Sequence, residues 1–201
     1  MDLLLASGNM HKKNEFATIL KQHRILTPRD IGASFSCAET GDTFAANALQ
    51  KAEALYAEVK RPLIADDSGL CVDALGGAPG VRSARYGDSE AKRLNDRERY
   101  ELLLAQLENE DDRRAAFVCS LVLMITPRRF FLFQESCEGR IAREAAGSGG
   151  FGYDPVFYLL DLGLSMAELA PDEKDRISHR GRAGRRLAHF LENQGDELGV
   201  V

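Results

Sequence analysis

The sequence predicts an α/β fold with a mixed β-sheet, and three observations point to it. Two runs rich in Val, Phe, Ile and Leu, residues 115–126 and 130–138, flank Pro127-Arg128 and read as a β-hairpin. Short apolar strands at residues 2–6, 63–65 and 156–160 are separated by segments whose apolar residues recur at helical spacing. Strands and helices do not alternate strictly, which favours a mixed sheet over a purely parallel one.

Taken in order, residues 2–6 form a strand that runs into Ser7-Gly8-Asn9, where Asn9 can cap a helix carrying Phe16, Ile19 and Leu20. Asp42 or Thr43 can cap a second helix reaching Lys60, with Phe44, Ala48, Ala52, Leu55 and Val59 on its apolar face. Asn47, Lys51 and Glu58 lie on another side. Arg61-Pro62 ends this helix, and the strand 63–65 runs into Asp66-Asp67-Ser68-Gly69. Residues 76–87 read as an ordered loop. Ser89 is expected to open a helix over residues 90–108. A glycine-rich loop, 145–155, follows the hairpin. Residues 166–169 and 184–193 are expected to be helical, and the last few residues frayed.

With 201 residues the chain suits one domain with a sizeable core. Its net charge of −5 weighs against a protein that coats nucleic acid or anionic lipid. No apolar run has the length of a signal-peptide core or a bilayer span, so a cytoplasmic protein is expected. Cys37, Cys71, Cys119 and Cys137 show no C-x-x-C spacing, and each is expected to be a reduced, buried thiol.

Four segments can carry chemistry. The first is Ser7-Gly8-Asn9-Met10-His11-Lys12, a strand-to-helix turn whose free N–H groups and lysine suit phosphate. No G-x-x-x-x-G-K-[ST] occurs, so a P-loop is excluded. The second is Asp66-Asp67 with Glu39. Adjacent carboxylates at the mouth of a buried strand call for a cation, and hard oxygens without a His or Cys pair favour Mg²⁺. One of them can accept a proton from water. The third is Gly147-Ser148-Gly149-Gly150-Phe151-Gly152-Tyr153-Asp154-Pro155. It matches G-x-G-x-x-G formally, but a strand follows instead of a helix, which excludes a dinucleotide site. Phe151 or Tyr153 can stack on a base there, with Asp154 or backbone groups at its edge. The fourth is residues 174–186, where six basic residues face one acid, Asp175. It lacks the interleaved aromatics of a nucleic-acid surface, and Ser178-His179-Arg180-Gly181 within it suggest a shaped anion site. Together these parts read as a site for a nucleoside triphosphate.

Five blocks then occur in a telling order: SGNMHKKNE (7–15), AETGDTFAANALQKA (38–52), ADDSGLCVDALGGAPGVRSARY (65–86), GSGGFGYDP (147–155) and EKDRISHRG (173–181). The sequence resembles the Ham1/RdgB family of noncanonical purine nucleoside triphosphate pyrophosphatases along almost its whole length. The resemblance implies a long bent mixed sheet flanked by helices, with an active cleft between two lobes of a single domain over residues 1–201. It implies Mg²⁺-dependent hydrolysis of ITP, dITP, XTP and dXTP to monophosphate and pyrophosphate, keeping deaminated purines out of DNA and RNA, and usually a homodimer. By motif position, Asp67 is the general base and a metal ligand, and Glu39 a metal ligand. Ser7, Gly8, Asn9, Met10, His11, Lys12, Lys51, Ser68, Lys174 and Arg180 surround the phosphates and sugar. Phe151, Gly152, Tyr153, Asp154 and His179 hold the base. Ser7 and Ser148 stand where the family often has Thr, and His11 where a small residue is frequent. A nucleotide-binding module without catalysis and a pyrophosphatase for other modified nucleotides are the competing readings.

Overall fold

Strand β1 (Asp2–Leu5) lies between two parallel neighbours, β2 (Arg24–Leu26) and β3 (Leu63–Val72). Beyond β3 the sheet continues antiparallel through β4 (Arg114–Thr126), β5 (Arg129–Ile141), β6 (Phe157–Leu159) and β7 (Leu164–Ser165). The seven strands make the mixed, open sheet of an α/β fold. The structure is a computed structural model that describes residues 2–198. Its helices are α1 (Met10–Ile19), α2 (Phe44–Val59), α3 (Asp96–Gln106), α4 (Pro171–Ile177) and α5 (His179–Leu198). Among the described residues no helix is long and apolar enough to cross a membrane.

Side chains alternate between the two faces of a strand, and this divides the core. Leu3, Leu5 and Ile64 meet Phe16 of α1, Leu20 just past its end, and Ala183, Leu187 and Leu191 of α5 on one face. Leu4, Leu63 and Ala65 meet Ala48, Ala52 and Leu55 of α2 on the other. A third cluster, built on Leu70, Val72, Phe117, Phe157 and Leu103 of α3, fills the far end. Each buried Leu, Ile, Val or Phe side chain contributes about 1.5–3 kcal/mol relative to exposure. The same alternation sends Asp66 and Ser68 toward α1 and α5, and Asp67 toward α2.

The caps behave as local chemistry dictates. Asn9 Oδ1 accepts from the His11 and Lys12 N–H groups at the start of α1. Of the two candidates for α2, Thr43 is the cap, its Oγ1 accepting from Ala46 N at 3.1 Å.

Several expectations need correction. β3 is ten residues long. It does not end at Ala65, because Asp66, Asp67 and Ser68 stay paired with Leu121, Ser120 and Cys119 of β4. α3 starts at Asp96, not near Glu90. Asn95 and Glu98 form a reciprocal capping box, while Ser89 only closes a local turn onto Lys92 N. The ordered loop 76–87 contains a 3-10 segment, Gly80–Arg85. It packs so close to β3 that a Cβ on Gly69 would lie 2.4 Å from Ser83 Oγ. Residues 166–169 form a 3-10 turn, Met166–Glu168, rather than an α-helix. Cys119 and Cys137 are buried as expected, but Cys37 and Cys71 are only half-buried; all four are free. The expected fraying of the last residues falls on 199–201, outside the described residues.

The basic segment 174–186, read from sequence as holding a shaped anion site, is helical. It is the junction of α4 and α5, and a Cβ on Gly181 would sit 1.7 Å from the Asp175 carbonyl oxygen. Arg182 and Arg185 spend their guanidinium groups on the carbonyls of Ser136, Asp175 and Arg176, and Arg186 pairs with Glu135. Only Lys174, His179 and Arg180 of this segment turn into the cleft described next.

Candidate active site

A cleft of about 630 Å³ opens between the first turn of α1, the middle of β3, the glycine-rich loop and the α4–α5 junction. That volume falls in the range of small-ligand sites. Of the residues expected at a site, Ser7, Gly8, Asn9, His11, Lys12, Glu39, Lys51, Asp67 and Ser68 line it. Phe151, Gly152, Tyr153, Asp154, Lys174, His179 and Arg180 complete its wall. Met10 does not line it: its side chain points to solvent, 54% exposed.

The two faces of β3 deliver two charge groups. On the α2 side, Lys51 Nζ bridges Asp67 Oδ1 at 2.9 Å and Glu39 Oε1 at 3.0 Å. Asn47 Nδ2 donates to Asp67 Oδ2 at 3.2 Å, and Arg85 holds the second oxygen of Glu39 at 3.1 Å. Burial raises the Asp67 carboxyl above its ordinary value, despite Lys51. On the α1–α5 side, fully buried Asp66 receives Lys12 Nζ at 2.8 Å and Arg180 Nε at 3.4 Å. Burial opposes its ionisation, but Lys12 and Arg180 outweigh burial and hold it well below the usual carboxylate range. Adjacent aspartates are thereby set apart, one fixed as an anion and one able to take up a proton.

Glu15, on the same face of α1 as Lys12, ties the far wall. It accepts from Lys174 Nζ at 2.9 Å and from Arg180 Nη1. Arg180 also donates to Ser68 Oγ at 2.6 Å, and Lys174 to Asp154 Oδ2 at 2.7 Å. Asp154 Oδ2 accepts the Phe151 N–H as well, at 2.8 Å. The Phe151 ring stacks on His11 with centroids 5.0 Å apart, and Lys174 Nζ stands 4.7 Å from its centre. Tyr153 is buried among core residues and donates its hydroxyl to the Ser83 carbonyl at 2.9 Å. Of the two aromatics, Phe151 is thus the one whose ring is free of the core. His179 stacks on Phe117 at 4.9 Å. Burial, reinforced by Arg180 and Lys174, pushes its imidazole well below the usual histidine value, so it is neutral. Among the described residues its Nδ1 has no hydrogen-bond partner.

The donor set suits a hard divalent cation. Glu39 and Asp67 converge on one cationic point, now the Lys51 ammonium. Among the described residues no three or more His, Cys, Asp or Glu side chains are grouped to cage a metal. Mg²⁺ commonly takes one or two carboxylates and completes its shell with water and substrate phosphate. Lys12, Lys51, Arg85, Lys174 and Arg180 are matched by Glu15, Glu39, Asp66, Asp67 and Asp154. A cluster so balanced needs added positive charge before it receives a polyanion.

The Ham1 family model matches residues 3–190. The chain belongs to the Ham1 family. A dITP/XTP pyrophosphatase of Treponema denticola is 47% identical over 191 residues, covering 95% of this chain and 98% of that protein. One of Geobacillus kaustophilus is 46% identical, covering 90% of each. Among solved structures, the Staphylococcus aureus Ham1 protein is 39% identical with a TM-score of 0.85, covering 96% of this chain and 100% of that one. The Coxiella burnetii HAM1 protein is 38% identical with a TM-score of 0.87, covering 96% and 99%.

Sequence reading of this Ham1-family chain missed Glu15, Asn47, Asp96 and Arg99. Glu15 carried one signal, since it follows Lys12 by three positions on one helix face. Asn47 and Lys51 carried another, four apart on α2. Asp96 and Arg99 carried the same kind of signal, three apart on α3, but the bond from Gly152 N–H to Asp96 spans 56 residues and left no mark in sequence.

Asp175 gives the site's surroundings a pH signature. Burial, aided by Glu15 and Asp172 and opposed by Lys174 and Arg180, pushes its carboxyl up to about 6 from 3.8. Between those values the folded chain binds the proton more tightly than the unfolded one, so stability falls as pH rises through that window. Asp175→Asn is expected to raise the thermal midpoint at pH 8, with the gain vanishing by about pH 4. Melting curves across that range check it; a gain that persists at pH 4 contradicts the cause.

Proposed function

We propose that the chain hydrolyses deaminated purine nucleoside triphosphates, ITP, dITP, XTP and dXTP, to the nucleoside monophosphate and pyrophosphate. The observation that carries this is Asp67. It is a buried carboxylate of raised proton affinity, held by Lys51 and Asn47 beside Glu39, in a cleft whose other wall presents Lys12, Lys174 and Arg180. Its relatives named dITP/XTP pyrophosphatase support the same substrate class.

Asp67 accepts the proton of the attacking water, and Lys51 keeps the carboxylate oriented toward it. Lys12, Lys174 and Arg180 neutralise charge that builds on the phosphate oxygens, with Ser7 and Ser68 as hydroxyl partners. Mg²⁺ fits at Glu39 and Asp67, where it supplies charge neutralisation for the triphosphate. Phe151 offers the base a stacking face. His179, kept neutral, has one N–H donor, which suits the 6-oxo group of inosine and xanthosine. The 6-amino group of adenosine cannot accept that bond, and an unpaired buried donor supports strong discrimination. In this reading the chain works as one two-lobed unit, as a cytoplasmic homodimer, and keeps deaminated purines out of DNA and RNA.

Turnover of ITP, XTP, GTP and ATP, measured side by side as pyrophosphate release with Mg²⁺, tests the reading. Fast release from ITP and XTP and slow release from ATP is expected, and GTP, which shares the 6-oxo group, reads any added discrimination at the 2-amino group. Tight ITP binding with no product favours a binding module, and preference for modified pyrimidine nucleotides favours the other enzyme class.

A further inference from the structure

The glycine-rich loop is held from a second side, by a residue with no other evident task. Asp96 opens α3, where the Asn95–Glu98 capping box already secures the helix start. Its side chain is 55% exposed and takes no part in the core. Yet Asp96 Oδ2 accepts the Gly152 N–H at 2.8 Å across 56 residues of sequence. Its other oxygen accepts from Arg99 Nη1 at 3.1 Å. Arg99 is buried and anchored through Nη2 to Asp88 Oδ1 at 3.4 Å and to the Leu94 carbonyl at 2.5 Å. Asp96 and Arg99 both line the cleft.

Two consecutive loop amides are therefore fixed by two carboxylates. Asp154 takes the Phe151 N–H from within the loop, and Asp96 takes the Gly152 N–H from α3. Gly152 has a φ of +64°, a conformation in which glycine is readily flexed. A carboxylate bond at its amide limits that freedom. The Phe151 ring is attached one residue away, so the latch sets where the ring stands.

We propose that Asp96, held by Arg99, is a positioning residue that latches the Phe151 loop in the geometry that receives the base. The consequence for turnover rests on the nucleotide reading of the cleft; the latch itself does not.

The test uses the full chain and two variants, Asp96→Ala and Asp96→Asn. Hydrogen exchange in the substrate-free protein is read on the peptide spanning residues 147–155, and KM and kcat are read on ITP. Asp96→Ala is expected to speed exchange in that peptide. It should raise KM about tenfold, the loss of one charge-assisted bond, with kcat within about twofold. Asp96→Asn keeps an acceptor oxygen and is expected to recover most of both effects. Unchanged exchange in Asp96→Ala overturns the latch. Faster exchange with an unchanged KM, or an equal fall of kcat in both variants, overturns the positioning role. Failure of the unaltered chain to cleave ITP or XTP overturns the nucleotide reading, and the exchange result still decides the latch.

Discussion

Asp67→Asn is expected to lower kcat for ITP by about 10²–10⁴-fold, the usual contribution of a positioned general base. The fold should survive it. Burial already penalises the ionised form of Asp67, so a neutral isostere removes an unfavourable charge. The amide oxygen can still accept from Lys51, whose ammonium is left with Glu39 as its second partner. KM for ITP should move little, because Lys12, Lys174 and Arg180 belong to other elements. Steady-state kinetics beside a thermal melt separate the two effects. Turnover within about tenfold of the unaltered chain removes Asp67 from the role of base.

Arg180→Met should cost both stability and activity. Arg180 is 2% exposed, and its guanidinium serves Glu15, Asp66 and Ser68 at once. Removing one partner of a buried ion pair typically costs about 3–5 kcal/mol. Lys12 and Lys174 still reach the two acids, which places the expected loss near 3 kcal/mol. The loss should depend on pH in a definite sense. Glu15 and Asp66 are lowered carboxyls; for both, burial acts upward, and Arg180 and Lys174 at Glu15, and Lys12 and Arg180 at Asp66, prevail. Their stabilisation is present above the unfolded carboxyl value and is lost as pH falls through the folded one. The variant's deficit is therefore largest near neutrality and shrinks toward about pH 3. Adding Glu15→Gln to Arg180→Met should recover part of the stability at pH 7. A double variant no more stable than Arg180→Met contradicts the pairing.

What could be read from sequence divides along locality. The caps at Asn9 and Thr43 and the stop at Arg61-Pro62 depend on neighbours a few residues away, and they were legible. So was the 115–138 hairpin, two runs rich in Val, Phe, Ile and Leu on either side of Pro127-Arg128. The polar half of β3 was not. Asp66, Asp67 and Ser68 look like the end of a strand until Lys12, Lys51 and Arg180 arrive from distant segments to match them. In the same way Lys174–Arg186 showed its charge plainly but not its division of labour. Which arginine caps a helix end and which enters the cleft depends on the phase of α5. Of the site residues that the blocks of sequence named, all but Met10 line the cleft. The blocks did not name the acids and amides that hold those residues, Glu15, Asn47 and Asp96, because a supporting partner leaves little mark on its own neighbours in sequence.

In the proposed reaction, water gives a proton to Asp67 and attacks the α-phosphorus, the bond from that phosphorus to its bridging oxygen breaks, and pyrophosphate leaves. Hydrolysis of ITP with Mg²⁺ in ¹⁸O-labelled water, with products resolved by mass, tests it most directly. One labelled oxygen in the inosine monophosphate and none in the pyrophosphate is expected. Label in the pyrophosphate, or orthophosphate as the first product, contradicts it.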